Sequence, residues 1–295
     1  MNNGSLVSNC KRLVARIHAV TATPKARFWM RILGLSILVA GVAWSVSTLD
    51  LTLDKISLKL LMLNLCISAP LNLGLAAVSL RLNANAVERS ISGPDAIQTA
   101  AMANAAELLP LPGGAMVRGA ALIRAGASLK ESASIVTTTA ILTLTMTIVL
   151  SATALALLGQ PAAWVLVFAG GIGFVGLLVW MSKHFSSHLL ASMLVVRLAT
   201  MAVGVAALAV AFATLGDPVG LTEAALYLVA IALGSTIAIV PAGFGINEAF
   251  AAGLASLISG SPASAFLAVA LNRATGLTAG ATLSGLFLLA RRSQT

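Results

Sequence analysis

Five charged residues stand inside stretches of sequence that are otherwise apolar: Glu107, Arg118, Arg197, Glu248 and Arg273. A charge in such a place is costly unless it is paired, wetted or turned toward other protein, so each is a candidate for binding or for balancing a bound charge. Arg197 is close enough to the end of its apolar stretch to snorkel to the surface, whereas Arg273 has Asn272 and Thr275 beside it on what reads as a polar face. Asn247 and Glu248 follow a Gly243-Phe244-Gly245 turn. There a carboxylate either caps the short helix that begins after the turn, where the helix dipole favours negative charge, or acts as counter-charge or proton carrier in a cavity. Glu107 precedes a second Pro/Gly break, with Arg118 beyond it, and admits the same alternatives.

Other motifs carry less. The GxGxxG within GGIGFVG (Gly170 to Gly176) lacks the preceding strand and the later acidic residue that dinucleotide binding needs, and close packing of helices through small residues explains it better. His184 and His188 are spaced as metal ligands on one helix face, but they fall in a short connection with no carboxylate nearby in sequence. The hydroxyls of TTTAILTLTMT (Thr137 to Thr147) either bond back to their own helix or line a polar path. Cys10 and Cys66 make no disulfide framework, no Cys/His cluster suggests a metal or cofactor, and no GxxxxGK[ST] loop is present to bind ATP. No nucleophile, base and orienter assemble into an enzyme site.

The elements that would position these residues are transmembrane helices. Of 295 residues, 59% are apolar and 9% charged, and the mean hydropathy is +0.99, which excludes a water-soluble globule. The net charge of +9 is then a topology signal rather than a nucleic-acid patch. Six full spans are predicted at Phe28 to Leu49, Leu58 to Leu80, Ile135 to Leu158, Ala162 to Met181, Leu189 to Leu215 and Phe266 to Ala290. Two further apolar segments, 96–125 and 222–259, are each broken, at LLPLPGGAMVRG (Leu108 to Gly119) and IVPAGFGINEA (Ile239 to Ala249). Broken backbone inside a membrane must be buried in protein or face water, so these read as re-entrant hairpins, with breaks at Pro110, Pro112, Gly113 and Gly114 and at Pro241, Gly243 and Gly245, although two short full crossings in each would give the same parity. The predicted fold is an all-α polytopic membrane protein of eight hydrophobic segments.

Alternating sides puts Lys11, Arg12, Arg16, Lys25, Arg27, Arg81, Arg89, Arg124, Lys130, Lys183, Arg291 and Arg292 on one face, against Lys55 and Lys59 on the other. The positive-inside rule then makes both termini cytoplasmic. The expected organisation is a basic cytoplasmic arm (1–27), one transmembrane domain (28–290) and a short cytoplasmic tail (291–295). The arm's KRLVARIHAV (Lys11 to Val20) reads as a positive flank or as an interfacial amphipathic helix. The halves 28–158 and 162–290 each read as two spans, a hairpin and a third span in opposite orientation, an inverted repeat of the kind many transporters use. Pro110 or Pro112 would answer Pro241, Gly114 would answer Gly243 or Gly245, and Gly126 would answer Gly260.

PLPGGAMVRGA, PAGFGINEAF and the later ALNRATG resemble the transmembrane region of lysylphosphatidylglycerol synthases, a family that includes stand-alone flippase-like membrane proteins. The resemblance spans roughly residues 30–290. Its most specific part is Pro-x-Gly-x-Gly-x-x-Glu at Pro241, Gly243, Gly245 and Glu248, followed by Arg273. The first hairpin departs from the pattern: the Glu that family members often carry after the first Pro-Gly is missing, and Arg118 remains. The resemblance implies movement of a lipid or lipid-linked group between leaflets of a bacterial plasma membrane. No soluble aminoacyl-transferase domain accompanies it here, so aminoacyl transfer is not expected. In that reading Arg118 and Arg273 hold an anionic headgroup, with Asn247 and Glu107 nearby and Glu248 balancing charge. The partners are membrane lipids and, as a further option, a lipid-modifying enzyme. Two other classes stay open: a secondary transporter of a small solute or ion, and a non-transporting helper of lipid metabolism.

Overall fold

The computed structural model describes residues 24–107, 113–236, 243 and 245–292. Within them the chain forms ten helices, one short 3-10 turn at Leu53–Lys55 and no strand. In chain order the helices are α1 (Pro24–Thr48), α2 (Leu58–Asn85), α3 (Gly93–Ala106), α4 (Gly113–Arg124), α5 (Leu129–Leu157), α6 (Ala163–Ser182), α7 (Ser187–Thr214), α8 (Leu221–Thr236), α9 (Ile246–Leu257) and α10 (Pro262–Arg292). The basic stretch Lys11 to Val20, the break residues Pro110, Pro112 and Pro241, and the tail 293–295 lie outside the described residues.

Four helices, α2, α5, α6 and α7, are long and apolar enough to cross a membrane. The other two expected spans fall in α1, whose apolar part is Ile32–Thr48, and in α10, which carries Asn272, Arg273 and Thr275 along its length. The helices overrun the hydropathy-derived spans because their ends are set by caps. At α5 the Ser128 hydroxyl accepts from the Glu131 N–H while the Glu131 carboxylate accepts from the Ser128 N–H, which starts the helix at Leu129 rather than Ile135. Ser92 and Ser186 cap α3 and α7 through their hydroxyls.

The helix order repeats: two helices, a broken pair, then a long helix, first as α1–α5 and again as α6–α10. The packing partners exchange in the same way. Helix α3 lies on α10 while α8 lies on α5; α1 lies on α10 while α6 lies on α5; α2 and α7 pack on each other. The short helices α4 and α9 are each 12 residues and end alike, with a bond from Ala127 N–H to Leu122 carbonyl in one and from Gly260 N–H to Ala255 carbonyl in the other. The left-handed position in these ends is held by Gly126 (φ 97°) and by Ser259 (φ 55°). The expected match of Gly126 with Gly260 is therefore corrected by one residue. Matching by residue type misaligned it, because a non-glycine occupies the second left-handed position.

The core is rich in alanine, which lets helices approach closely; one cluster gathers around Leu80, Leu122 and Leu142 and another around Phe212, Tyr227 and Val269. The outside is apolar. On α6 only 6% of the apolar window is buried within the chain, so Val165, Phe168 and Ile172 present a face that water would not tolerate and a bilayer would cover.

Candidate functional site

Helix α9 begins at a turn that only glycine accommodates. Gly243 and Gly245 have φ of 65° and 78°, and a Cβ on Gly245 would run into the Gly34 carbonyl and the Ile37 side chain of α1. The turn leaves the Gly245 N–H pointing at Glu248, whose Oε2 accepts from it at 2.7 Å. The other carboxylate oxygen, Oε1, accepts from Arg273 Nη1 at 2.6 Å. Glu248 therefore caps α9 and is ion-paired to Arg273 at once. Arg273 Nη1 also reaches the Gly243 carbonyl at 3.4 Å. With the Asn247 amide oriented so that its oxygen faces the guanidinium, that oxygen accepts from Nη1 and Nε, each at 3.2 Å. The Glu248 side chain is wholly buried and that of Arg273 is 9% exposed, so the pair is held in a low-dielectric setting where neither charge can be left alone.

The first hairpin carries a looser pair. Glu107 is the C-cap of α3, and its Oε1 lies 3.7 Å from Arg118 Nη2 on α4. No acid follows the Pro-Gly break; the carboxylate beside Arg118 is that of Glu107, which precedes it. Close packing of Gly113 and Gly114 onto α3 makes this possible: a Cβ at 113 would overlap the Ala106 carbonyl, and one at 114 would press on Glu107 itself. Both side chains of the pair are more than a third exposed, so Arg118→Ala is expected to cost no more than about 1 kcal/mol. A thermal midpoint in detergent within a few degrees of wild type is the check, and a collapse of the fold would show that the pair is structural.

A cavity of about 200 Å³ lies between α2, α3, α8 and α10, lined by Asn64 and Asn72, by Asn104 and Glu107, by Ile231, and by Asn272, Arg273 and Thr275. Glu107 feels the charge of Arg273 as well as that of Arg118. Arg197 on α7 does not snorkel free: it donates from Nη2 to the buried Ser79 Oγ on α2 at 2.8 Å and lies within the field of Arg118. Of the charged side chains among the described residues, Glu107 and Arg273 line the cavity, one of each sign, and each is paired to a charge behind it, Arg118 and Glu248.

Asn64, Asn72 and Asn104 were not singled out from sequence. Two asparagines in the apolar run of α2 were the available signal, but their spacing obscures it. In a regular α-helix residues eight apart differ by about 80° in direction. Between them lies a π turn at Asn64–Ser68, in which the Ala69 N–H bonds back five residues to the Asn64 carbonyl. Pro70 follows, and its missing N–H and its ring disfavour regular winding at this point. The extra residue takes back about 100° and brings Asn64 and Asn72 within about 20° of one another, on the cavity side.

The other candidates resolve as structural or solvated. Thr139, Thr143, Thr145 and Thr147 bond to carbonyls three or four residues back in α5. His184 bonds the Trp180 carbonyl and stacks on its ring, His188 is exposed, and no group of metal-ligating side chains occurs among the described residues. Of the glycines in Gly170 to Gly176, only Gly170 packs closely, against Val149 and Ile148; a Cβ on Gly171, Gly173 or Gly176 would meet nothing within 4 Å. The close-packing reading of that motif is thus corrected to one residue, because α6 sits at the periphery. No protein-family model matches the chain, and no curated protein matches it.

Proposed function

We propose that this chain is a lipid translocase of the bacterial plasma membrane, moving an anionic phospholipid or lipid-linked group between leaflets, with both termini cytoplasmic. The observation that carries the reading is the cavity lined by four asparagines, Glu107 and Arg273, inside a domain with an apolar exterior. In this reading α1, α2, α5, α6, α7 and α10 cross the membrane, and α3–α4 and α8–α9 are re-entrant hairpins of an inverted repeat. The exchange of packing partners between α1–α5 and α6–α10 supports that arrangement. The family resemblance at Pro241, Gly243, Gly245, Glu248 and Arg273 supports the lipid as cargo.

Arg273 borders the cavity and its planar guanidinium suits a phosphate, so it is the cation placed to meet an anionic headgroup there. Arg118 is held loosely enough by Glu107 to exchange that carboxylate for a phosphate. Acyl chains would remain in the bilayer while the headgroup crosses.

The test uses purified protein in liposomes with acyl-labelled phosphatidylglycerol and a membrane-impermeant reductant that bleaches the outer leaflet. Wild type should expose the inner-leaflet label at least tenfold faster than protein-free vesicles, and Arg118→Gln should remove most of that acceleration while remaining folded. Bleaching no faster than in protein-free vesicles across several lipid classes would sink the translocase. Saturable uptake of a soluble phosphate ester in that case would establish a solute carrier instead.

A further inference from the structure

The cavity's asparagines are not equivalent. Asn64 and Asn104 are anchored: Asn64 Nδ2 donates to the Ala207 carbonyl on α7 at 3.3 Å, and Asn104 Nδ2 donates to the Gly276 carbonyl on α10 at 3.3 Å. A backbone carbonyl can only accept, so both amide orientations are fixed and each Oδ1 is the atom left over. Neither oxygen has a hydrogen-bond partner among the described residues, although Asn64 is only 1% exposed and lines the cavity. Neither is among the fully buried atoms left without a partner, so both oxygens are accessible acceptors that a donor entering the cavity can reach. The Glu107 carboxylate adds a third acceptor to the same wall. Asn72 and Asn272 make no side-chain hydrogen bond among the described residues, so their amides can turn either way and read nothing. The cavity thus combines a cation, Arg273, with acceptors fixed in place.

We propose that the cavity selects, among phosphate-bearing groups, those that also carry hydrogen-bond donors, a hydroxyl or a primary ammonium, and that Asn64 and Asn104 read those donors through Oδ1. The proposal rests on the translocase reading only for the source of the group, since a lipid headgroup and a free phosphate ester present the same chemistry. A trimethylammonium group has no N–H or O–H to offer and leaves both oxygens unsatisfied. A site built around such bonds rejects the analogue that lacks them more strongly than a site built on shape.

Two arms separate this selection from translocation. In detergent, thermal stabilisation by glycerol 3-phosphate is compared with that by phosphocholine. In liposomes, acyl-labelled glycerol and ethanolamine phospholipids are compared with the choline phospholipid of identical tails. Wild type is expected to favour the donor-bearing species by about tenfold or more, the worth of one or two hydrogen bonds. Asn64→Ala and Asn104→Ala should each bring that ratio toward unity. Should one variant fail to fold, the other and the wild-type ratio still decide. A preference in detergent without lipid movement supports the selection and sinks the translocase. A wild-type ratio near one in both arms, or a preference that survives both substitutions, overturns the proposal.

Discussion

Arg273→Ala should destabilise the protein by about 3–5 kcal/mol, the largest effect expected of any single side-chain truncation at the site. The reason is not the strength of the ion pair but what is left behind. Glu248 is wholly buried, and without Arg273 its Oε1 would face the interior as an uncompensated charge. Glu248→Gln should cost less, about 3 kcal/mol, because the amide oxygen still accepts from the Gly245 N–H and the cation it orphans, Arg273, borders the cavity rather than lying wholly inside the protein. Combining Arg273→Met with Glu248→Gln should recover about 2 kcal/mol relative to the sum of the single changes, since neither charge is then orphaned. Arg273→Lys would keep the charge but lose the planar fork that spans Glu248 and Asn247. Unfolding in mixed detergent micelles, followed by circular dichroism, measures all four. A stable Arg273→Ala protein would mean that the pair has no structural role.

The contrast between the two charge pairs explains how much of the site could be read from sequence. Glu248, Asn247 and Arg273 were legible because glycines that force a turn sit immediately before the acid and because charges in apolar stretches are rare. Glu107 and Arg118 were legible singly but not as partners: pairing them depends on the close seating of Gly113 and Gly114 on α3. The cavity asparagines were illegible for a different reason. Their shared direction depends on the π turn before Pro70, and hydropathy is blind to a one-residue change in winding. The order of long and broken helices followed from hydropathy and Pro/Gly breaks, whereas helix ends followed from caps such as Ser128 with Glu131, so the ends moved while the order stood.

Gly245→Ala should do comparable damage through the backbone. At φ 78° an L-residue costs about 1–3 kcal/mol on its own. The added methyl would also be driven into the Gly34 carbonyl of α1, which is backbone and cannot rotate aside, and into Ile37. Any relief must move α9 away from α1, and that draws the Gly245 N–H off Glu248 and disturbs the bond to Arg273 in the same step. A total loss of about 3 kcal/mol or more is therefore expected, a large fraction of the stability of a typical domain. Gly253 supplies the control within the same helix. It is exposed in the body of α9, a Cβ there meets nothing within 4 Å, and Gly253→Ala should raise stability by up to about 1 kcal/mol. The pair separates two accounts of why α9 needs glycine. If general flexibility of the hairpin matters, both substitutions should impair lipid movement. If the need is one backbone geometry that delivers a donor to a buried carboxylate, Gly245→Ala alone should fail, and Gly253→Ala should move lipid at the wild-type rate from a more stable fold.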